Sequence, residues 1–116
     1  MLREFFLGFI RVHILFHADE APVYGVALMT ELGRHGYSIG PGTLYPILHT
    51  LEGQGFLRPE KDVVDGKVRK YYRTTPSGRR ILARAQAQLR ELVGEVLPPS
   101  RPEAPQARLR VRRKSR

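Results

Sequence analysis

Two groups of side chains near the middle of the sequence could do chemistry, and in both it is the chemistry of binding. Gly42, Tyr45, Pro46 and His49 recur at spacings that gather on one side of a helix and offer a phenol and an imidazole. Further on, Lys67, Arg69, Lys70 and Arg73 load a short strand-like run with cations on both faces. A helix with an exposed polar and aromatic side, set beside a cationic β-ribbon, can read a DNA groove while gripping phosphates. Residues 37–75 therefore point to nucleic acid.

Catalytic chemistry finds no such support. The sequence has no clustered carboxylate pair, no glycine-rich phosphate loop before a helix, and no serine near a plausible His–Asp couple. Zero cysteine removes disulfides, thiolate metal sites and cysteine nucleophiles together. His13 and His17 stand four apart on a helix and could share a metal, but no third ligand is evident near them. The expectation is a protein that is not an enzyme and uses no cofactor and no metal.

Charge points the same way, unevenly. Lys+Arg 20 against Asp+Glu 11 leaves +9 on 116 residues. Residues 1–100 hold 13 basic and 10 acidic side chains, net +3, whereas residues 101–116 hold 7 and 1, net +6. Two thirds of the excess is a tail. A chain this short supports one domain with a modest core, and a small core often leans on a partner subunit. The apolar start, residues 1–16, is interrupted by Arg3, Glu4, Arg11 and His13 and is too short to span a bilayer, so no membrane association is expected.

The elements that must position the central segment follow from periodicity. Residues 2–16 read as a helix with two apolar stripes, Leu2, Phe5, Phe9, Val12 and Phe16 on one and Phe6, Ile10 and Ile14 on the other. One stripe suffices for a surface helix, so the second implies another body, most economically the same chain from a twofold mate. Ala21 and Pro22 are expected to open a second helix, with Asp19 and Glu20 near its positive end and Gly33 and Gly36 as candidate stops. Gly40 and Pro41 start a third, on which Leu44, Ile47, Leu48 and Leu51 form one inward face. Asp65-Gly66 then joins strands 57–64 and 67–74 in a type I′ hairpin. Thr75-Pro76 opens a last helix to about Val96, whose stripe includes Leu89, Leu92, Val93 and Val96 and is expected to lie along the mate's first helix. Prolines at 98, 99, 102 and 105 stop regular structure, and the basic remainder is expected to be disordered in solution.

Tyr24-Gly25, Tyr37-Ser38-Ile39, the run Pro41-Gly42-Thr43-Leu44-Tyr45-Pro46-Ile47-Leu48, Gly55-Phe56-Leu57, and Arg69-Lys70-Tyr71-Tyr72-Arg73-Thr74-Thr75 closely resemble the PadR family of bacterial and archaeal transcriptional regulators. The resemblance covers roughly residues 2–97 and implies an α+β winged helix-turn-helix, three helices plus a two-stranded wing, with a C-terminal dimerisation helix. Residues 1–75 would be the DNA-binding domain, 76–97 the dimerisation helix and 98–116 the tail. By the same resemblance the protein would be a cytoplasmic repressor binding a palindromic operator as a homodimer, through recognition helix 41–54 and wing 57–74. Ser38, Gly42, Thr43, Tyr45, Pro46 and His49, with Lys67, Arg69 and Lys70 of the wing, would be its contacts to double-stranded DNA. For Tyr45 the competing role is packing between the helix and the wing, and either Tyr71 or Tyr72 belongs to the core.

Some relatives bind small aromatic ligands between subunits, in certain cases against Trp, and this sequence has no Trp. Phe5, Phe9, Val12 and Phe16 could still line a cavity for an aromatic or apolar effector, or be plain interface core, together with Leu89, Leu92, Val93 and Val96. The rival reading is a charge-driven architectural protein that binds DNA or RNA without sequence preference, using the tail as its main element.

Overall fold

The computed structural model describes residues 2–99, in the order α1 (Leu2–Glu20), α2 (Gly25–Arg34), α3 (Pro41–Gly53), β1 (Leu57–Val64), β2 (Lys67–Thr74) and α4 (Pro76–Val96). Expectations about the tail from Ser100 onward lie outside the described residues. Among the described residues, those up to 86 form one compact unit and 87–99 belong to a second. No helix among the described residues is long and apolar enough to cross a membrane.

The core of the first unit is built from helical repeats. Ile10, Ile14 and Ala18 of α1 lie four apart, each 2% exposed or less, and meet Leu28 and Leu32 of α2 and Leu44, Ile47, Leu48 and Leu51 of α3. Each isoleucine or leucine side chain removed from water contributes about 1.5–3 kcal/mol, which holds the three helices together.

Two helix boundaries differ from the sequence expectation. Helix α1 continues past Phe16 to Glu20, because Ala18 extends its buried stripe by one more turn. The residues expected to start α2, Ala21 and Pro22, are not helical, and α2 begins only at Gly25 with Tyr24 as its N-cap residue. The reason is nonlocal. Val23 is extended and exchanges two backbone hydrogen bonds with Tyr72, 3.0 and 2.7 Å long, so the linker docks on the wing as a single β-bridge. Asp19 and Glu20 consequently close α1 instead of opening α2, and Arg79 of α4 meets Asp19 at 3.5 Å.

The hairpin forms as its turn residues dictate. Asp65 and Gly66 both adopt positive φ, 53° and 75°, and β1 pairs antiparallel with β2 from Leu57 opposite Thr74 to Val64 opposite Lys67. Its base is anchored in the core and its tip is not. Leu57, Tyr72 and Thr74 are buried, while Val63 and Val68, paired near the turn, are exposed. Tyr72 is thus the core tyrosine, and Tyr71 packs edge-on against Tyr24 outside it. The buried Thr74 hydroxyl donates to the Leu15 carbonyl of α1 at 2.8 Å, which ties the wing's last residue to the first helix.

Helix α4 is fastened at its start. The Thr75 hydroxyl accepts from the Gly78 amide at 2.9 Å, a helix cap, and donates to the Gly55 carbonyl at 2.6 Å. Gly78 lies directly against the Phe56 carbonyl oxygen. In the second unit, Leu92, Val93 and Val96 are exposed, and Leu89 is half-buried.

Candidate nucleic-acid interface

Helix α2, a short turn and helix α3 form the helix-turn-helix. His35 caps α2, Gly36 turns the chain at φ 89°, and Gly40 in extended conformation leads into Pro41 at the start of α3. Gly36 is therefore the operative stop, one turn beyond Gly33. Pro46 sits inside α3 without breaking it. Beside it, the Thr50 hydroxyl donates back to the Pro46 carbonyl at 2.9 Å.

With Leu44, Ile47, Leu48 and Leu51 buried, the opposite side of α3 is presented outward. Gly42, Tyr45, Pro46 and His49 are exposed, and Thr43 is half-buried. Tyr45 is 37% exposed, and its ring lies over Gly25 of α2. A β-carbon at Gly25 would stand 2.7 Å from Tyr45 Cζ and 2.8 Å from Cε1, closer than carbon atoms approach, so a side chain there would push the ring from this position. Tyr45 thus packs against α2, and part of its surface stays free beside the wing.

The wing approaches from the other side. Tyr24, Gly25, Tyr45, His49, Arg69 and Lys70 line one open concavity of about 300 Å³. The Arg69 guanidinium lies 4.9 Å above the centre of the Tyr24 ring, and Lys70 Nζ stands 3.6 Å from Glu52 Oε1 of α3 and 5.4 Å from the centre of the Tyr72 ring. For Lys70, partial burial works against the charge, but the Tyr72 and Glu52 oxygens outweigh it and leave the ammonium pKa above that of an ordinary lysine. Arg73 of β2 and Arg58 of β1 converge on Glu60 of β1 at 3.1 and 3.2 Å. Hydrogen bonds from Arg73 above all, and from Arg58, hold that carboxyl below its usual range despite some desolvation. Arg69 and Lys70 are held in place by aromatic and acidic neighbours, whereas Lys67 is exposed at the turn.

Of the sequence-derived positions, Tyr45, His49, Arg69 and Lys70 come together at this concavity. Gly42, Thr43 and Pro46 lie elsewhere along α3, Ser38 is exposed in the turn before it, and Lys67 sits at the wing tip. Tyr24, which the sequence does not single out as a contact, also belongs to this concavity. It orients Arg69 and packs on Tyr71, and its signal was the Tyr24-Gly25 pair itself.

A second cluster, away from this face, gathers His13 and His17 of α1 with Glu31 of α2 and its C-cap residue His35. Sequence reasoning stopped at His13 and His17 for want of a third ligand. The missing signal was a second pair at the same spacing, Glu31 and His35, on the neighbouring helix. Burial first, then the nearby His35 and His17 charges, lower the His13 pKa against the opposing pull of Glu31.

A helix-turn-helix followed by a two-stranded antiparallel wing defines a winged-helix regulator. The model of the Transcriptional regulator PadR-like family matches residues 14–84. Transcriptional regulator Rv3488 of Mycobacterium tuberculosis is 51% identical over 96 residues, which cover 83% of this chain and 90% of that protein. A PadR family transcriptional regulator from Eggerthella lenta has a crystal structure with a TM-score of 0.72 and 41% identity, covering 86% of this chain and 91% of that one. A PadR-like transcription factor from Bacteroides fragilis gives the same TM-score at 27% identity, covering 81% and 92%. The chain belongs to the PadR-like family of transcriptional regulators, whose members are transcription factors and not enzymes.

Proposed function

We propose that this PadR-like regulator is a cytoplasmic repressor that binds a palindromic operator as a homodimer. The observation that carries the reading is the uncovered outer face of α3 standing beside cationic, pre-oriented wing residues at one concavity. In this reading Tyr45, His49, Thr43 and Pro46 enter the major groove, Gly42 lets the helix backbone approach the DNA closely, and Ser38, Lys67, Arg69 and Lys70 contact phosphate or the minor groove. Arg69 and Lys70 lose little freedom on binding, because Tyr24 and Glu52 already hold them.

Dimerisation uses the apolar residues that the fold leaves uncovered. Phe5 and Phe9, 48% and 47% exposed, stack at 6.4 Å with an interplanar angle of 15°, and Phe16 continues their stripe. Val12 lies along it, half-buried. Covered by Leu89, Leu92, Val93 and Val96 of a second copy, these residues would form a twofold interface, and any small aromatic or apolar effector would lodge among the same phenylalanines. Two recognition helices would then reach successive major grooves about 34–36 Å apart.

Fluorescence anisotropy against DNA from upstream of the chain's own gene, with scrambled DNA as reference, tests the reading. Preference by about 10³-fold or more is expected of a specific regulator. A charge-driven binder would show steep salt dependence and no preference.

A further inference from the structure

We propose that His17, Glu31 and His35 form a binding site for a divalent transition-metal ion of the zinc class, with His13 as a fourth donor. The site does not depend on the DNA-binding reading. Two pairs at helical i, i+4 spacing face each other across the contact of α1 with α2: His13 and His17 on one helix, Glu31 and His35 on the other. That spacing puts both members of a pair on one helix face, as chelation requires.

One donor atom from each of His17, Glu31 and His35 lies within 4.8 Å of the others. Glu31 Oε2 is the hub, 3.4 Å from His35 Nε2 and 4.0 Å from His17 Nε2. Zinc–nitrogen bonds of about 2.0–2.1 Å place tetrahedral donors roughly 3.3 Å apart, so modest side-chain rotation closes the set. His35 is exposed and free to make that rotation, and its backbone is fixed as the cap of α2.

Two further features favour a metal over an ordinary cluster of surface ion pairs. His17 presents its other nitrogen, Nδ1, to Glu20 Oε1 at 3.7 Å, the carboxylate–imidazole pairing that orients metal-bound histidines. His13, whose ring centre is 4.8 Å from that of His35, has a buried Nδ1 with no hydrogen-bond partner. A buried unpaired nitrogen costs stability unless something occupies it. Two or three imidazoles with one carboxylate suit zinc, cobalt or nickel, whereas magnesium and calcium demand oxygen donors.

Calorimetric titration of the untagged full chain with Zn²⁺, and with Co²⁺ followed by visible absorption, tests the site. One ion per chain is expected, with cobalt bands characteristic of bound imidazole, and excess Mg²⁺ should not compete. The His17→Ala/His35→Ala variant should lose at least about 100-fold in affinity, and Glu20→Gln about 10-fold. Should the double variant fold poorly, Glu31→Gln supplies the same readout with minimal change of shape. Zn²⁺ should also raise the melting temperature of the wild-type chain and leave that of Glu31→Gln nearly unmoved. Absence of stoichiometric binding, or an affinity untouched by Glu31→Gln and by the double variant, would overturn the proposal.

Discussion

The Tyr45 ring of α3 rests on the bare α-carbon of Gly25 in α2, so any β-carbon at this point of the helix-turn-helix would force the ring to move. The contact decides two things at once. It sets how closely the two helices approach at this point, and it turns the Tyr45 hydroxyl toward Gly25.

Gly25→Ala should therefore destabilise the protein by about 1–3 kcal/mol, although alanine is normally the better helix former. In a Tyr45→Ala background the same substitution should cost much less, because the colliding ring is gone. Denaturant unfolding of the four members of this cycle checks it, and additive losses would mean that the two residues do not interact.

A second glycine gives a paired test of sign. At Gly78 a β-carbon would overlap the Phe56 carbonyl oxygen and stand 2.8 Å from Thr74 Cγ2, whereas Gly33 of α2 has nothing within 4 Å. Gly78→Ala should thus lower stability by about 1–3 kcal/mol, and Gly33→Ala should raise it by up to about 1 kcal/mol. Thermal melts of both variants decide whether close approach or propensity governs each site.

Thr74→Val keeps the shape of the side chain and removes its hydroxyl. The Leu15 carbonyl loses one donor, and the buried position loses a bond worth about 0.5–1.5 kcal/mol net. Because this bond joins the wing to α1, hydrogen exchange should rise first at the base of the hairpin. Unchanged protection there would show that burial of Leu57 and Tyr72 suffices to anchor it.

Phe9→Glu places a charge in the uncovered stripe of α1. If that stripe is an intersubunit face, light scattering should report a dimer for the wild-type chain and a monomer for the variant, with little change in the secondary structure. A monomeric wild-type chain at micromolar concentration would remove the basis for the twofold reading.

What the sequence made legible was local. The inward face of α3 follows from four apolar residues at helical spacing, and the hairpin from Asp65-Gly66, since both depend on neighbours within a few positions. The late start of α2 was not legible, because Val23 is drawn out of helix by hydrogen bonds to Tyr72, almost fifty positions away. Contacts between residues far apart in sequence likewise hid which of Tyr71 and Tyr72 is core, the role of Gly25 beneath Tyr45, and the meeting of Glu31 and His35 with the histidines of α1. Alternation could place residues on faces of a strand. It could not say which face would meet a helix.

The central claim is that α3 and the wing together recognise a particular DNA sequence, and the most direct measurement is anisotropy on the upstream DNA with three proteins. The wild-type chain should prefer that DNA over a scrambled sequence by about 10³-fold or more at physiological salt. Tyr45→Ala should erode the preference, and the Lys67/Arg69/Lys70 triple alanine variant should weaken binding to both DNAs and flatten the salt dependence. Equal affinity of the wild-type chain for both DNAs would contradict the claim and leave charge as the sole basis of binding.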